Sequence, residues 1–450
     1  MAPRTCAVLA LLTLATSSRA QTPSYSVLQI GPLPGHNGSF AEGVDNAGRV
    51  IGWSDTLAGM HWDAGNLVAL PTLSGGTLTR AEGITDDGVV LGYSDATGTS
   101  TQAVAWFPSG SGFDAVALGI APGDLFSGAL GMGGGIIAGY SDDGLNPRPV
   151  AWLPPAQDPG NYTIEVLPFV PGDFAGGATG VDATGRAYGY TANFGLAHAT
   201  RWTRTGGTWS VTNLGGLGPN FGAEVNAVAP NGVAVGYSVS PATFVEHAVL
   251  WGTAGIVDLG ALNPGWRANA QGVNSQGDVV GKSGPFAYDT GWVRLNATGT
   301  MVDLNTRLPA ATPWIVRSAD DIADDGRIVA TAERNGFVQT VLLTPVSTFL
   351  AGPTPGTAGQ LNTLNVSAAT PGGTVRFVWA RNGGETAIAG CPSIAFDLNL
   401  ARTIGTSVAD AAGNASITWM IPGSLAGSTL VFQALDAASC RVTNVTQDTL

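Results

Sequence analysis

Lysine is almost missing from this chain: Lys282 is the only one among 450 residues. Together, lysine and arginine number 19 against 32 aspartates and glutamates, and the formal net charge is −13. A surface of this sign repels phosphate backbones and anionic membranes, because binding to nucleic acid depends on clustered Lys and Arg side chains. We therefore expect no nucleic-acid partner.

Cysteine is equally scarce, with three residues in all. Cys6 lies in the apolar run of a leader that begins with a charged Arg4 and ends in Ser18-Arg19-Ala20, so residues 1–20 are predicted to be a signal peptide. The remaining pair, Cys391 and Cys440, is predicted to form a disulfide in an oxidising compartment. No later stretch reaches the ~18 unbroken apolar residues of a membrane span. The sequence predicts an extracellular, periplasmic or cell-surface protein with no membrane insertion after signal cleavage.

Motifs of catalysis and metal binding are also missing. The four histidines show no paired-ligand spacing, and the acidic pairs of the chain lack the D-x-[DN]-x-[DN]-G order of a calcium loop. No G-x-S-x-G nucleophile elbow occurs. We expect no metal, no cofactor and no nucleophilic catalysis.

Glycine, by contrast, is abundant, with 65 residues that separate short Val/Ile/Leu runs. The segment AEGVDNAGRVIGWSD (41–55) returns as AEGITDDGVVLGYSD (81–95) and in five more divergent copies. One turn glycine marks each copy, and successive ones lie about 40 to 50 residues apart, a period typical of propeller blades. These glycines are Gly48, Gly88, Gly135, Gly185, Gly232, Gly277 and Gly326.

Each repeat reads as four short strands. The third strand ends in Trp62, Trp106, Trp152, Trp202 and Trp251 in five copies, and we assign Leu295 and Leu343 to that place in the last two. Six copies are followed by a fourth strand, but none follows Leu343. The matching segment, VLQIGPL (27–33), stands directly after the leader. The sequence thus predicts an all-β protein with a seven-bladed β-propeller that is closed by its N-terminal strand, which hides both sheet edges.

Two segments carry a family resemblance. HAVLWGTAGIVDLGAL (247–262) followed by AQGVNSQGDVVGKS (270–283) resembles the HAF-repeat family of secreted bacterial proteins, and His198-Ala199 with Trp202 is a looser copy. The resemblance covers roughly residues 25–345. It implies an extracellular location and a propeller-like repeat domain, but the family carries no agreed activity to transfer.

The repeats stop after Pro345. We assign residues 21–347 to the propeller and 348–360 to a Pro/Gly/Thr linker. The final segment, 361–450, alternates like short strands and is predicted to be a small β-sandwich of Ig-like type.

The connections that precede each first strand carry the candidate binding residues. Six of the seven hold one aromatic residue: Phe40, Phe126, Phe174, Phe221, Trp266 and Trp314. One interpretation is a ligand-binding face, with the two tryptophans as exposed anchors. The alternative, which we favour at this point, is that the rings pack between blades.

Three functions remain open from the sequence. The leading one is a secreted, non-catalytic protein that binds a glycan or a protein through one propeller face. The second is a carbohydrate-active hydrolase or lyase, with Asp124 and Asp173 as first candidates because they occupy equivalent loops. The third is a purely structural envelope or matrix component.

Overall fold

A computed structural model describes residues 23–96, 100–110, 112–154, 162–285, 289–309, 312–392 and 394–450. The predicted signal peptide lies outside these residues. The described chain is all-β, apart from two short 3-10 helices. Its strands form seven four-stranded antiparallel sheets, followed by a group of smaller sheets near the C-terminus.

The first six sheets each consist of four consecutive strands. Sheet 1 holds β2 (Ser39–Val44), β3 (Val50–Ser54), β4 (Ala58–Asp63) and β5 (Asn66–Ala69), and sheet 2 holds β6 (Thr79–Ile84), β7 (Val90–Ser94), β8 (Gln102–Ser109) and β9 (Gly112–Ala117). Sheet 3 holds β10 (Phe126–Gly133), β11 (Ile136–Asp142), β12 (Pro147–Leu153) and β13 (Thr163–Val166), and sheet 4 holds β14 (Ala175–Val181), β15 (Ala187–Asn193), β16 (Leu196–Thr205) and β17 (Thr208–Asn213). Sheet 5 holds β18 (Ala223–Val228), β19 (Ala234–Val239), β20 (Glu246–Gly252) and β21 (Gly255–Gly260), and sheet 6 holds β22 (Arg267–Val273), β23 (Val279–Gly284), β24 (Thr290–Arg294) and β25 (Met301–Asp303). A 3-10 helix, Leu304–Arg307, follows β25.

Sheet 7 is assembled from both ends of the repeat region. Its first three strands are β26 (Ile315–Ile322), β27 (Ile328–Arg334) and β28 (Phe337–Pro345), and its fourth is β1 (Tyr25–Gln29) from the N-terminus. β1 pairs antiparallel with β28, so that Val27 faces Leu343. The prediction that the N-terminal segment supplies the missing fourth strand is confirmed.

Consecutive sheets pack face to face, and the last packs on the first. Each first strand contacts the preceding sheet, and β2 contacts β26, β27 and β28 of sheet 7. Backbone groups link sheets 7 and 1 directly, since Thr340 N–H donates to Ser39 Oγ over 2.9 Å and Ala41 N–H donates to Thr331 Oγ1 over 3.2 Å.

Two repeated side chains tie neighbouring sheets together. The indole of Trp106 donates to the Pro71 carbonyl (2.8 Å), and Trp202 donates likewise to the Pro168 carbonyl (2.7 Å). The serine that ends the second strand accepts a backbone N–H from the connection that leaves the preceding sheet, as Ser94 Oγ does from Leu73 (3.0 Å). These Trp and Ser side chains are therefore scaffold residues, because they satisfy buried polar groups where two sheets meet. Trp152 is also fully buried, but its indole nitrogen has no hydrogen-bond partner among the described residues.

Sheet 6 corrects one sequence assignment. Trp251 pairs with the first residue of the second strand in sheet 5, and Leu343 does the same in sheet 7. In sheet 6 the first residue of the second strand is Val279, and its partner is Arg294. Leu295 is therefore one residue out of register. The buried tryptophan of this sheet is Trp292, on the same face of the strand and fully excluded from solvent. A side chain two residues earlier in a strand points to the same face, so it can fill the same space.

The C-terminal segment contains two sheets that share one core. One holds β29 (Phe349–Thr354), β30 (Leu361–Ser367) and β35 (Ala415–Met420), and the other holds β31 (Thr374–Ala380), β34 (Arg402–Val408), β36 (Thr429–Asp436), β37 (Arg441–Val442) and β38 (Thr446–Thr449). A hairpin adds β32 (Gly383–Ala387) and β33 (Ala395–Leu398), and Gly423–Leu425 is a second 3-10 helix. Leu364 and Val366 pack with Phe377 and Phe432 across the two sheets.

Two further predictions concern this segment. Cys391 and Cys440 are bonded to each other, as expected. The proposed linker 348–360 is wrong over much of its length, because Phe349–Thr354 forms β29 and pairs with β30. Its Pro and Gly residues suggested a linker, but Leu350 is buried in the shared core.

The C-terminal segment covers the free edge of β1. Val27 N–H donates to Asp397 Oδ1 over 2.8 Å, and Gln29 N–H donates to Glu385 Oε2 over 3.3 Å. Burial raises the pKa of Asp397 to about 7, although the bonds from Val27 and Gln433 oppose that shift. These two backbone N–H groups are therefore not free to pair with another chain at the edge of the sheet.

We predict that deletion of Tyr25–Gln29 lowers the thermal stability of the mature protein and promotes self-association. Tyr25 and Val27 are buried, each contributing about 1.5–3 kcal/mol of apolar burial, and the deletion leaves β28 with an unpaired edge. Thermal melts and size-exclusion chromatography measure both effects. The control is Gln29→Ala, which keeps the backbone pairing. A deleted protein that melts and elutes like the control would refute the role of β1.

Candidate functional site

Every first strand of the seven sheets contains a β-bulge, and the bulge places one extra residue against a shared cavity. The pairing shifts by one residue in each sheet, for example between Ala41 and Gly43 and between Ala81 and Gly83. The extra residues, one from each sheet, line a single cavity of about 250 Å³. They are Glu42, Glu82, Leu130, Thr179, Asn226, Gln271 and Asp320.

The acidic side of this cavity holds an Arg-bridged pair of carboxylates. Arg80 lies 3.0 Å from Glu42 Oε1 and 2.9 Å from Glu82 Oε1. Burial raises the pKa of both carboxyl groups, and the charge of Glu82 raises that of Glu42 further, while Arg80 lowers both. Burial also raises the pKa of Asp320, and it raises that of Asp321 to about 7.

The six predicted aromatic residues lie at the start of the first strands or just before them. Phe126 and Phe174 are exposed, whereas Phe40, Phe221 and Trp266 are half-buried. Phe40 stacks on Trp53 at a ring-centroid distance of 4.3 Å, and Arg80 covers the same indole at 4.8 Å. Phe40 thus belongs to a packed stack near the acidic side of the cavity.

Trp314 contradicts the expectation of an exposed anchor. Only 3% of its surface is accessible, and it packs in the core with Val316 and Val341. Arg334 lies over its indole, 5.3 Å from the ring centroid. Trp314 therefore stabilises sheet 7 and is not available to a ligand.

Sequence reasoning missed the exposed rings that accompany two of the predicted phenylalanines. Phe174 contacts Phe194, and Phe221 contacts Phe244, with centroids 4.7 Å and 5.8 Å apart. Phe194 is 97% exposed and Phe244 is 74% exposed. Both lie in the turns between the second and third strands of their sheets. These turns are at the same end of each sheet as the start of its first strand. Leu125, Phe126 and Leu145 are likewise exposed and lie at the corresponding end of sheet 3. We call these five exposed residues of sheets 3, 4 and 5 the apolar arc.

A cleft of about 560 Å³ opens between sheets 4 and 5 within this arc. Its walls come from the start of β16, the end of β17 and the connection to β18. Phe221 and Pro219 supply apolar surface, while His198 and Asn213 supply polar groups. The volume lies within the roughly 300–1,000 Å³ of small-molecule sites.

Asp124 and Asp173, the catalytic candidates of the alternative hypothesis, are both engaged in local contacts. Asp124 is paired with Arg148 at 2.7 Å. Asp173 accepts from Thr191 Oγ1 (2.6 Å), Asn193 Nδ2 (3.0 Å) and His198 Nδ1 (2.7 Å), and its side chain is fully buried. Each carboxylate fixes the connection before its first strand and has no exposed face for a substrate.

Within the described ranges, no group of three or more His, Cys, Asp or Glu side chains could hold a metal ion. The same residues contain no helix long and apolar enough to cross a membrane. The acidic turn pairs are bonded to backbone groups. Asp143 Oδ1 accepts from Leu145 N–H and Asn146 N–H of its own turn at 2.8 and 2.9 Å. Asp86 and Asp324 instead link neighbouring sheets, since Asp86 Oδ1 accepts from Asn46 N–H (3.0 Å) and Asp324 Oδ1 accepts from Ser275 N–H (2.8 Å).

No family model and no curated protein matches the chain. Among solved structures, it is similar to the extracellular domains of a hybrid two-component system and of a one-component system of B. thetaiotaomicron. The first likeness has 10% identity, a TM-score of 0.41 and coverage of 94% of this chain and 53% of the other. The second has 11% identity, a TM-score of 0.40 and coverage of 93% and 59%. The chain thus spans just over half the length of the chains in these two structures.

A third similar structure is an arginine mutant of AofleA from Arthrobotrys oligospora, with 13% identity and a TM-score of 0.35. It is matched over 92% of its length by 64% of this chain. Likenesses at these scores do not assign a function.

We predict that the protein is more stable at pH 5 than at pH 8. Carboxyl groups with a raised pKa stabilise the fold while they are protonated, and they lose that contribution as the pH rises through the folded-state value. Carboxyl groups with a lowered pKa, such as Asp182 and Glu165, lose their contribution only below about pH 4, outside this window. Burial lowers the pKa of His61, which opposes the trend between pH 5 and pH 8, but the raised carboxyl groups Glu42, Asp321 and Asp397 outnumber this one group.

The measurement is the apparent melting temperature at the two pH values. Glu42→Gln with Glu82→Gln should reduce the difference by at least about 2 °C, whereas the control Glu165→Gln should leave it unchanged. A wild-type melting temperature that rises from pH 5 to pH 8 would contradict the assignment of raised pKa values to these carboxyl groups.

Proposed function

We propose that this chain is a secreted, non-catalytic binding protein of HAF-repeat type, in which the seven sheets are the blades of a closed β-propeller. The C-terminal domain is a β-sandwich that covers the edge of the last blade. The ligand, a glycan or a protein, binds at the end of the propeller that carries the apolar arc. Secretion is supported by the leader-like N-terminus and by the Cys391–Cys440 disulfide.

The observation that carries this proposal is the apolar arc itself. Phe194 and Phe244 are largely exposed, so their rings contribute little buried area to the fold. Packing therefore does not require an apolar residue at either position. Exposed apolar side chains that are grouped at one end of three adjacent sheets, next to a cleft, are typical of binding sites. The arc lies at the loop ends of three adjacent sheets, and its side chains take no part in the hydrogen bonds of the scaffold Trp and Ser residues.

The carbohydrate-active alternative has one observation in its favour, the raised pKa values of Glu42 and Glu82. Two points favour binding instead. Arg80 contacts both carboxylates, so neither is an unpaired acid or base. Their cavity, of about 250 Å³, is also smaller than the cleft between sheets 4 and 5.

We predict that Phe194→Ser with Phe244→Ser abolishes ligand binding while the melting temperature stays within about 1–2 °C of the wild type, because surface changes cost little stability. Binding is measured with the labelled mature protein on arrays of glycans and of secreted proteins. Leu400→Ser, which alters an equally exposed apolar residue of the C-terminal domain, is the matched control. Trp314→Ala serves as the packing control and should cost roughly 3–5 kcal/mol.

Binding that survives in the Phe194/Phe244 double variant would contradict the proposal. Failure of the wild type to bind on either array would favour a structural role for the protein.

A further inference from the structure

The cleft between sheets 4 and 5 has a fixed polar group at its wall. His198 lines the cleft, and Asp173 lies behind it, fully buried, with its Oδ2 atom 2.7 Å from His198 Nδ1. Thr191 and Asn193 also donate to Asp173, so the carboxylate is held in place from three sides.

The contact with Asp173 determines which ring nitrogen of His198 remains as a hydrogen-bond acceptor. An ionised carboxylate can only accept hydrogen bonds, so Nδ1 carries the hydrogen and donates it to Asp173. In the neutral imidazole, Nε2 then holds the lone pair. Nε2 makes no hydrogen bond to any residue that the structure describes, and it is the acceptor that remains for a ligand.

The rest of the cleft lining limits the chemistry of that ligand. Asn213 Oδ1 is occupied by Gly215 N–H at 2.8 Å, which turns its amide nitrogen into the available donor. Phe221, Leu217 and Pro219 supply apolar walls, and the lining includes no carboxylate, lysine or arginine. A ligand that fits must be uncharged, must donate a hydrogen bond to His198, and must cover an aromatic ring with an apolar face.

A pyranose ring meets these three conditions, because its hydroxyls both donate and accept and its C–H face stacks on aromatic rings. We propose that this cleft binds one sugar residue of a neutral saccharide, with a hydroxyl of that sugar donating to His198 Nε2 and with Asp173 as the positioning residue. This inference rests on the proposed function and specifies its ligand class. The two aromatic pairs that flank the cleft, Phe174–Phe194 and Phe221–Phe244, would hold the neighbouring sugar residues.

The first test needs no ligand. Long-range ¹H–¹⁵N spectra of the mature protein at pH 8 report the tautomer of each histidine, with His198→Asn used for assignment. We expect the Nδ1–H tautomer at His198. The Nε2–H tautomer would overturn the inference, because no acceptor would then face the cleft.

The second test uses maltohexaose, cellohexaose, mannohexaose and laminarihexaose as probes. At least one should shift the His198 Nε2 resonance and bind measurably by calorimetry. His198→Asn keeps a donor for Asp173 but has no atom at the Nε2 position, and it should weaken that binding by tenfold or more at an unchanged melting temperature. His198→Gln, which restores a polar group at that distance, should recover part of the affinity.

The outcomes separate the inference from the proposed function. If no saccharide shifts the resonance, or if His198→Asn binds as tightly as the wild type, the inference is wrong. The proposed function still stands in that case if Phe194→Ser with Phe244→Ser abolishes capture of a glycan or protein on the arrays. If neither the aromatic variant nor His198→Asn changes any binding, both are wrong.

Discussion

The pairing of β1 with β28 is the constraint on which the repeat region depends. It brings Tyr25–Gln29 beside Phe337–Pro345 and thereby gives sheet 7 the fourth strand that every other sheet obtains from its own repeat. The outer edge of β1 is in turn occupied by Asp397 and Glu385. One short strand therefore links the beginning of the chain, the last repeat and the C-terminal domain, which makes these three parts dependent on each other for stability.

The repeated contacts distinguish residues of the scaffold from residues of the candidate site. The indoles of Trp106 and Trp202 and second-strand serines such as Ser94 satisfy backbone groups at the junctions between sheets, so these positions are fixed by packing and hydrogen bonding. These contacts use the backbone of the connections before the first strands, and the side chains of those connections and of the turns after the second strands take no part in them. Those side chains can vary from sheet to sheet, and in sheets 3 to 5 they carry the apolar arc and the cleft with His198.

Much of the fold could be predicted because its signals are local and repeated. Turn glycines, alternating apolar residues and the missing fourth strand after Leu343 led to seven four-stranded sheets and to β1. The errors arose where one copy departs from the pattern. In sheet 6 the core tryptophan moves to Trp292, and Leu295 was assigned in its place. In the predicted linker, Pro and Gly residues obscured β29, whose Leu350 is buried by contacts with distant strands.

The site was less predictable, because its geometry depends on contacts between repeats. The six connection aromatics were found, but the sequence did not show that Trp314 is buried or that Phe194 and Phe244 complete the exposed pairs. A β-bulge also leaves no clear mark in an alternating pattern, so the residues that line the shared cavity, such as Glu42 and Glu82, were not singled out. The His198-Ala199 pair did mark His198 in the sequence, although its partner Asp173 emerged only from the fold.

Hydrogen exchange in the N-terminal segment tests the central claim, the pairing of β1 with β28, most directly. We predict that the backbone amides of residues 26–29 in the mature protein exchange as slowly as those of β28, because one edge of the strand pairs with β28 and the amides of Val27 and Gln29 on the other edge donate to Asp397 and Glu385. Exchange of these amides at the rate of an unstructured peptide, with β28 protected or not, would contradict it.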